Sequence, residues 1–207
     1  MRRAAQILFF ALVVRPFLRM FIGLRVTGLE NLPRRGPFVI VANHSSHLDA
    51  VALMALFPLR DIHRIRPCAA SDYFERNRVV SFLSHTFIGI LPIDRRNIRR
   101  ENHPTKVMAD ALERGQGLIL FPEGTRGSGE EVADFKPGIA HLAAERPDVP
   151  IVPVRLANFA RALPKGEFVP IPLFCEVRIG PARPVTGSRE EMLRDLRESI
   201  LRLGAKP

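Results

Sequence analysis

The sequence predicts an α/β fold: a central, mixed β-sheet of about seven strands covered by helices. Short apolar runs bounded by Gly, Pro or charge recur from Leu24 onward and alternate with helical patterns, as sheet-and-helix domains require. The chain has 207 residues, 46% of them hydrophobic, enough for one compact domain with a full core. No internal repeat or low-complexity linker divides it.

Candidate strands cover residues 25–29, 38–42, 62–69, 88–93, 118–121, 151–155 and 173–179, each bounded by Gly, Pro or charge. Helical patterns fill residues 48–57, 73–85, 105–115 ending on Gly115, and 138–146 after Pro137. The last helix has the clearest signal. Ser188 and Glu191 form a capping box, and Met192, Leu193, Leu196, Ile200 and Leu203 make an apolar stripe ahead of Gly204.

Residues 1–24 form a separate segment, and residues 25–207 the domain proper. The start, MRRAAQILFFALVV, has the basic and apolar regions of a signal peptide, but Arg15 and Pro16 stand where a small-residue cleavage site belongs, so it is expected to be retained. The apolar run 4–14 spans about 16 Å as a helix, short of the ~30 Å hydrocarbon core. The segment therefore reads as an interfacial anchor, with Arg2, Arg3, Arg15 and Arg19 at headgroup depth and Phe17, Leu18, Phe21 and Ile22 among acyl chains. A core helix of the domain is the alternative.

The formal net charge is +10, from 31 Lys and Arg against 21 Asp and Glu, which favours anionic partners. A single-strand nucleic-acid platform lacks its stacking residues, since the chain has no Trp and one Tyr, and an anionic membrane surface fits better. Cys68 and Cys175 are far apart in sequence and form no CxxC pair, so they read as buried free thiols of a reducing compartment.

The strand 38–42 runs directly into Asn43 and His44, placing the histidine where strand gives way to loop and helix, a position that commonly lines the crevice of an open α/β sheet. In NHSSHLD, His44 and Asp49 would lie about 140° apart on an unbroken helix and could not meet. With His44 in the loop and Asp49 in the first helical turn, the carboxylate can accept the Nδ1 proton and leave Nε2 free as a base. Two other readings stay open here: His44, His47 and Asp49 as metal ligands, although HxxHxD is not a usual zinc spacing, and His47 with Asp49 as simple caps of the following helix.

FPEGTRG, residues 121–127, follows the strand LILF, and its small residues let backbone amides and Arg126 approach an anion. Glu123 is suited to hold Arg126 or to accept a bond from a substrate hydroxyl; an ordinary strand-end turn is the alternative. GILPIDR, residues 89–95, also ends on a basic residue, with Arg96, Arg99 and Arg100 beyond it. FKPG adds Lys136 at a helix start, and VPIVPV, residues 149–154, reads as buried scaffold along one wall of a pocket.

In this order, NHSSHLD, GILPIDR, FPEGTR and VPIVPV resemble the four blocks of the glycerolipid acyltransferase family of HxxxxD type, particularly bacterial lysophosphatidic acid acyltransferases. The resemblance covers about residues 24–180, including the GLENLP lead-in and FKPG. It implies a glycerol-3-phosphate acyltransferase-like fold and transfer of an acyl group from a thioester to the free hydroxyl of a lysophospholipid, lysophosphatidic acid above all. By the same resemblance His44 is the general base and Asp49 its partner, while Arg95, Glu123, Gly124, Thr125, Arg126 and Lys136 bind the acceptor. It implies no metal and no cofactor, an acyl carrier protein or coenzyme A thioester as co-substrate, and the cytoplasmic face of the cell membrane as the place of work, peripheral or monotopic. Pro92, where the family often has an aromatic or β-branched residue, and the short N-terminal segment are departures that bear on the acceptor. The same chemistry on a non-phosphate lysolipid such as lyso-ornithine lipid, and a non-catalytic lipid-binding protein, are the alternatives.

Overall fold

A computed structural model describes residues 2–205 except 75–77, 97, 100, 128–130, 165, 166, 168 and 184–186; the side chains of residues 73 and 74 are also outside the description. All seven predicted strands form one sheet, β1 (Arg25–Thr27), β2 (Phe38–Ala42), β3 (Ile65–Ala70), β4 (Leu91–Ile93), β5 (Gly117–Leu120), β6 (Ile151–Ala157) and β7 (Glu176–Ile179), in the order β1-β7-β6-β2-β5-β3-β4. Strands β6, β2, β5, β3 and β4 run parallel, and β7 is antiparallel to β6 while pairing parallel with β1, so the sheet is mixed. β2 sits at its centre. Every residue of β2 is buried, as expected of a parallel strand covered on both faces.

Several expected strands begin late. Ile62–Arg64 forms a 3-10 turn before β3, and a π turn, Ser84–Ile88, precedes β4. Pro92 is exposed on β4, the edge strand, where its missing N–H leaves no inner ladder bond unmade. Gly117 faces Phe38 across the β2–β5 pair, and an added Cβ there would run into the Phe38 ring, which in turn stacks on Phe57. Only glycine lets that ring lie across the neighbouring strand.

The helices are α1 (Arg2–Phe9), α2 (Arg15–Phe17), α3 (Leu48–Ala55), α4 (Ser71–Phe74), α5 (Arg78–Leu83), α6 (Pro104–Glu113), α7 (Gly138–Glu145), α8 (Phe159–Ala162) and α9 (Arg189–Gly204). The short α8 was not anticipated, and part of the expected helix 73–85 lies outside the described residues. The N-terminal segment and α3 pack on one face of the sheet around Ile40, Ile119, Val152 and Val154. Helices α6, α7 and α9 cover the other around Val39, Val41, Leu118 and Ile151. The capping box of α9 forms as read, with Ser188 Oγ accepting from the Glu191 N–H and the Glu191 carboxylate from the Ser188 N–H.

The N-terminal segment departs from its sequence reading in length. Helix continues through Pro16 from Arg2 to Ile22, 21 residues, long and apolar enough by length and composition to cross a membrane. Proline is accommodated because the flanking turns, Phe10–Val14 and Leu18–Ile22, are of π type; the Arg15 N–H bonds back to Phe10 O. Gln6, Phe10, Val14, Leu18 and Ile22, four residues apart, are buried against the domain. Leu18 and Ile22 therefore belong to the core and not to a lipid-facing side. Arg15 is also not a headgroup contact: its guanidinium donates to the carbonyls of Ala55 (3.3 Å) and Phe57 (2.6 Å), closing the C-terminal end of α3.

Both cysteines are free, Cys175 buried and Cys68 half-buried, and burial pushes each thiol up to about 12. Neither is a nucleophile at neutral pH.

Candidate active site

The site assembles at the carboxyl ends of β2, β4 and β5, where an open α/β sheet leaves its crevice. Asn43, the first residue beyond β2, is buried and ties that strand end to β6. Its Nδ2 donates to Leu156 O at 2.9 Å, and its Oδ1 accepts the Leu156 N–H at 2.8 Å. The residue that follows it, His44, is thereby presented from a fixed point.

His44 lies in the loop and Asp49 in the first turn of α3, so the chain folds back and brings His44 Nδ1 to 2.9 Å from Asp49 Oδ2. The same oxygen accepts the N–H groups of Ser45 (2.6 Å) and Ser46 (2.8 Å). Asp49 is fully buried, whereas the His44 side chain keeps 22% of its exposure. Because an ionised carboxylate can only accept, Nδ1 carries the proton and Nε2 is left as an acceptor. The Phe121 ring stacks on the imidazole, centroids 4.1 Å apart and planes 18° from parallel. The simple-cap reading does not describe this turn: His47 is the N-cap of α3 and makes no side-chain capping bond, and Asp49 serves amides that precede the helix. Among the described residues, no group of three or more His, Cys, Asp and Glu side chains could hold a metal ion.

FPEGTRG wraps around the His44 backbone. The His44 N–H donates to Glu123 Oε1 at 2.7 Å, and the His44 carbonyl accepts the Gly127 N–H at 2.9 Å. Glu123 Oε2 accepts the Ala133 N–H at 3.1 Å, so both oxygens of this buried carboxylate are engaged by the backbone. Glu123 is thus a brace beneath His44 through the backbone. Burial raises its pKa above the usual 4.5, opposed by the two amide bonds and by the nearby His44 and Arg155.

The cations gather on the turn itself. Gly124 adopts φ 76°, and its bare α-carbon lies under the Lys136 side chain; an added Cβ would sit 2.7 Å from Lys136 Cε and Nζ. Arg95, exposed just past β4, donates to Gly124 O at 2.9 Å. The structure thus brings Arg95 and Lys136 to one glycine. Thr125 is exposed beside them and Arg126 half-buried. Arg126 is near enough to His47 to help lower the pKa of that imidazole, after the larger effect of burial. Of the outer arginines, Arg96 pairs with Asp72 at 3.4 Å, Arg99 is exposed, and Arg100 lies outside the described residues.

Three features escaped the sequence reading: the Asn43 brace, the Phe121 stack and the use of Glu123 as a backbone clamp. The Asn43 brace finds Leu156, and Phe121 meets His44, only after strands distant in sequence have paired. A polar Asn directly after a wholly apolar strand was the one available signal.

The chain matches the family model described as Acyltransferase over residues 23–157. It is 28% identical over 177 residues to the 1-acyl-sn-glycerol-3-phosphate acyltransferase BAT2, chloroplastic, of Brassica napus, covering 82% of this chain and 47% of that one. Its identity to the 1-acyl-sn-glycerol-3-phosphate acyltransferase alpha of Homo sapiens is 30% over 170 residues, 80% of this chain and 56% of the other. The chain thus spans about half to three-fifths of the length of these relatives. Its fold matches the crystal structure of the 1-acyl-sn-glycerophosphate acyltransferase PlsC of Thermotoga maritima with a TM-score of 0.74 at 22% identity, over 99% of this chain and 80% of that one. With the family model spanning residues 23–157, most of the chain, the protein belongs to the acyltransferase family.

Proposed function

We propose that this protein transfers a fatty acyl group from an acyl thioester to the free hydroxyl of a lysophospholipid, lysophosphatidic acid being the acceptor that suits the site best. One observation carries the reading: an imidazole oriented by a buried carboxylate at 2.9 Å is bonded through its backbone to the turn that gathers Arg95 and Lys136 at Gly124. A base and a pair of cations are thus joined. The names of the relatives, which specify 1-acyl-sn-glycerol-3-phosphate, support the same acceptor.

In this mechanism the acceptor phosphate rests among Arg95, Lys136 and Arg126 and presents its hydroxyl to His44 Nε2. The hydroxyl proton passes to Nε2 as its oxygen attacks the thioester carbonyl, and Asp49 stabilises the imidazolium that forms. Backbone amides near the site take the developing oxyanion. The carbon–sulfur bond then breaks, and the leaving thiolate receives the proton from the imidazolium. Either acyl carrier protein or coenzyme A serves as the thiol, since both are acidic and the surface is basic. No cofactor or metal enters these steps. The protein works at the cytoplasmic face of the cell membrane, peripheral or monotopic; an apolar N-terminal helix with one face clamped to the domain supports the membrane association.

The test is release of free thiol from acyl carrier protein and coenzyme A thioesters over a panel of lysolipid acceptors, comparing the native chain with His44→Ala. Acyl transfer to lysophosphatidic acid that vanishes in the variant is the expected result. Near-normal turnover by folded His44→Ala removes the base, and equal use of a phosphate-free lysolipid removes the phosphate cradle.

A further inference from the structure

The C-terminal helix α9 lies beyond the residues 23–157 that match the family model, yet its bonds reach the ground beneath His44. Its period turns Met192, Leu196 and Ile200 into the core, and Val132, from the segment after FPEGTRG, is buried in the same core. Both ends of the helix are fixed. The Ser188–Glu191 capping box closes the start, and Arg178 Nη1 on β7 donates to Leu203 O at 2.9 Å and to Ala205 O at 3.2 Å at the finish. Arg197, next to Leu196 at the rim of the apolar stripe, is thereby held against residues 132–134.

The Arg197 guanidinium meets that segment at three atoms. Nη2 donates to Val132 O at 2.7 Å, Nε donates to Ala133 O at 3.3 Å, and Nε stands 3.6 Å from Asp134 Oδ1. The first contact has the longest reach. Val132 O and the Ala133 N–H belong to one peptide group, and that N–H donates to Glu123 Oε2 at 3.1 Å. Glu123 Oε1 in turn accepts the His44 N–H at 2.7 Å. A continuous chain of hydrogen bonds therefore runs from the guanidinium through a peptide group and a carboxylate to the backbone of His44. Its polarity agrees at every link. The cation draws electron density toward the carbonyl oxygen, so the N–H on the other side of the peptide becomes a stronger donor to the anionic carboxylate. Lys136 is held apart from this chain: its own N–H donates to Pro122 O at 2.9 Å, and its side chain lies over Gly124.

We infer that Arg197 is a positioning residue for acyl transfer: through the Val132–Ala133 peptide it holds Glu123, and through Glu123 it fixes the point from which His44 is presented. Helix α9 is thus part of the machinery as well as a cover for the sheet. The inference rests on the acyl-transfer reading for the reaction that His44 serves.

Arg197→Met keeps the apolar stem of the side chain and removes its donors. Its kcat for lysophosphatidic acid is expected to fall about tenfold, with the acceptor KM within about twofold of native, as displacement of the base alone requires. Arg197→Lys can still donate to Val132 O and should recover most of the loss. Arg202→Met should lose nothing, because Arg202 pairs only along the helix, with Glu198 at 3.1 Å. In a Glu123→Gln background the effect of Arg197→Met should shrink to about twofold or less, since both changes cut the same chain. Without any substrate, NMR of the isotope-labelled full-length chain should show the His44 and Ala133 amide signals moved in Arg197→Met and unmoved in Arg202→Met. An unchanged kcat in folded Arg197→Met, a loss that multiplies fully with that of Glu123→Gln, or an unmoved His44 amide overturns the proposal and leaves Arg197 a tie for α9 alone. A native chain that releases no thiol while both amides still respond to Arg197→Met defeats the acyl-transfer reading and leaves the positioning chain standing.

Discussion

Glu123 holds His44 by its backbone: Oε1 accepts the His44 N–H at 2.7 Å while Oε2 accepts from Ala133 at 3.1 Å. In Glu123→Gln one of those amides would face an NH₂ group, and a buried donor without an acceptor costs about 1–3 kcal/mol. The imidazole should shift with its backbone, so kcat is expected to fall roughly 10- to 100-fold with little change in the KM for acceptor. Kinetics on lysophosphatidic acid check this; a purely raised KM would return Glu123 to acceptor binding.

The same carboxyl predicts a pH effect. Its folded pKa is raised above 4.5, chiefly by burial, so the folded chain holds this proton more tightly than the unfolded chain. The contribution is present below 4.5 and is lost as pH rises through the folded midpoint. Subtracting the unfolding free energy of Glu123→Gln from that of the native chain, pH by pH, should give a difference that declines as pH rises through this window. A difference that grows with pH would contradict the raised value.

Asp49→Asn keeps volume, but its amide oxygen at the Oδ2 position would keep all three bonds without the negative charge that stabilises an imidazolium, and its NH₂ there would face the Ser45 and Ser46 amides and Nδ1 together. Either arrangement is expected to lower kcat by about 100- to 10,000-fold. Steady-state thiol release measures it, with circular dichroism establishing that the variant is folded; turnover within a few-fold of native would mean Asp49 only shapes the loop.

Phe121 stacks on His44 at 4.1 Å, a contact of about 0.5–1.5 kcal/mol that limits rotation of the ring. Phe121→Leu should slow turnover by up to about tenfold, and Phe121→Tyr should restore most of it. Equal losses in both variants would show that the stack has no bearing on the imidazole.

His47 has its pKa lowered below 6.5, first by burial and then by Arg126. An NMR titration should place its midpoint below 6.5, and Arg126→Gln should move it upward. An unmoved midpoint would separate Arg126 from this side of the crevice.

How much was written in the chain can be seen at His44 and Glu123. The strand run PFVIVA, the loop after it and the apolar stripe of the following helix are local patterns, set by side-chain period and turn formers, so β2, α3 and the need for His44 and Asp49 to meet across a loop were all legible. The four blocks carried the family for the same reason: each is a short contiguous string. The sense of Glu123, by contrast, depends on which atoms lie above it, and those come from residue 44, 79 positions away, once β2 and β5 pair in register. Arg15 failed in sequence for a like cause, because the carbonyls it closes belong to α3.

The N-terminal helix divides along the same line. Sequence alone determined that residues 2–22 are apolar, basic at the edges and without a carboxylate, and that the domain behind them is a covered sheet with its polar residues at strand ends. Only the tertiary structure decided which face of that helix is core and which is bare, and that Pro16 does not end it. Burial on a helix is set by the surface it meets, and that surface is built from strands whose neighbours no local pattern names.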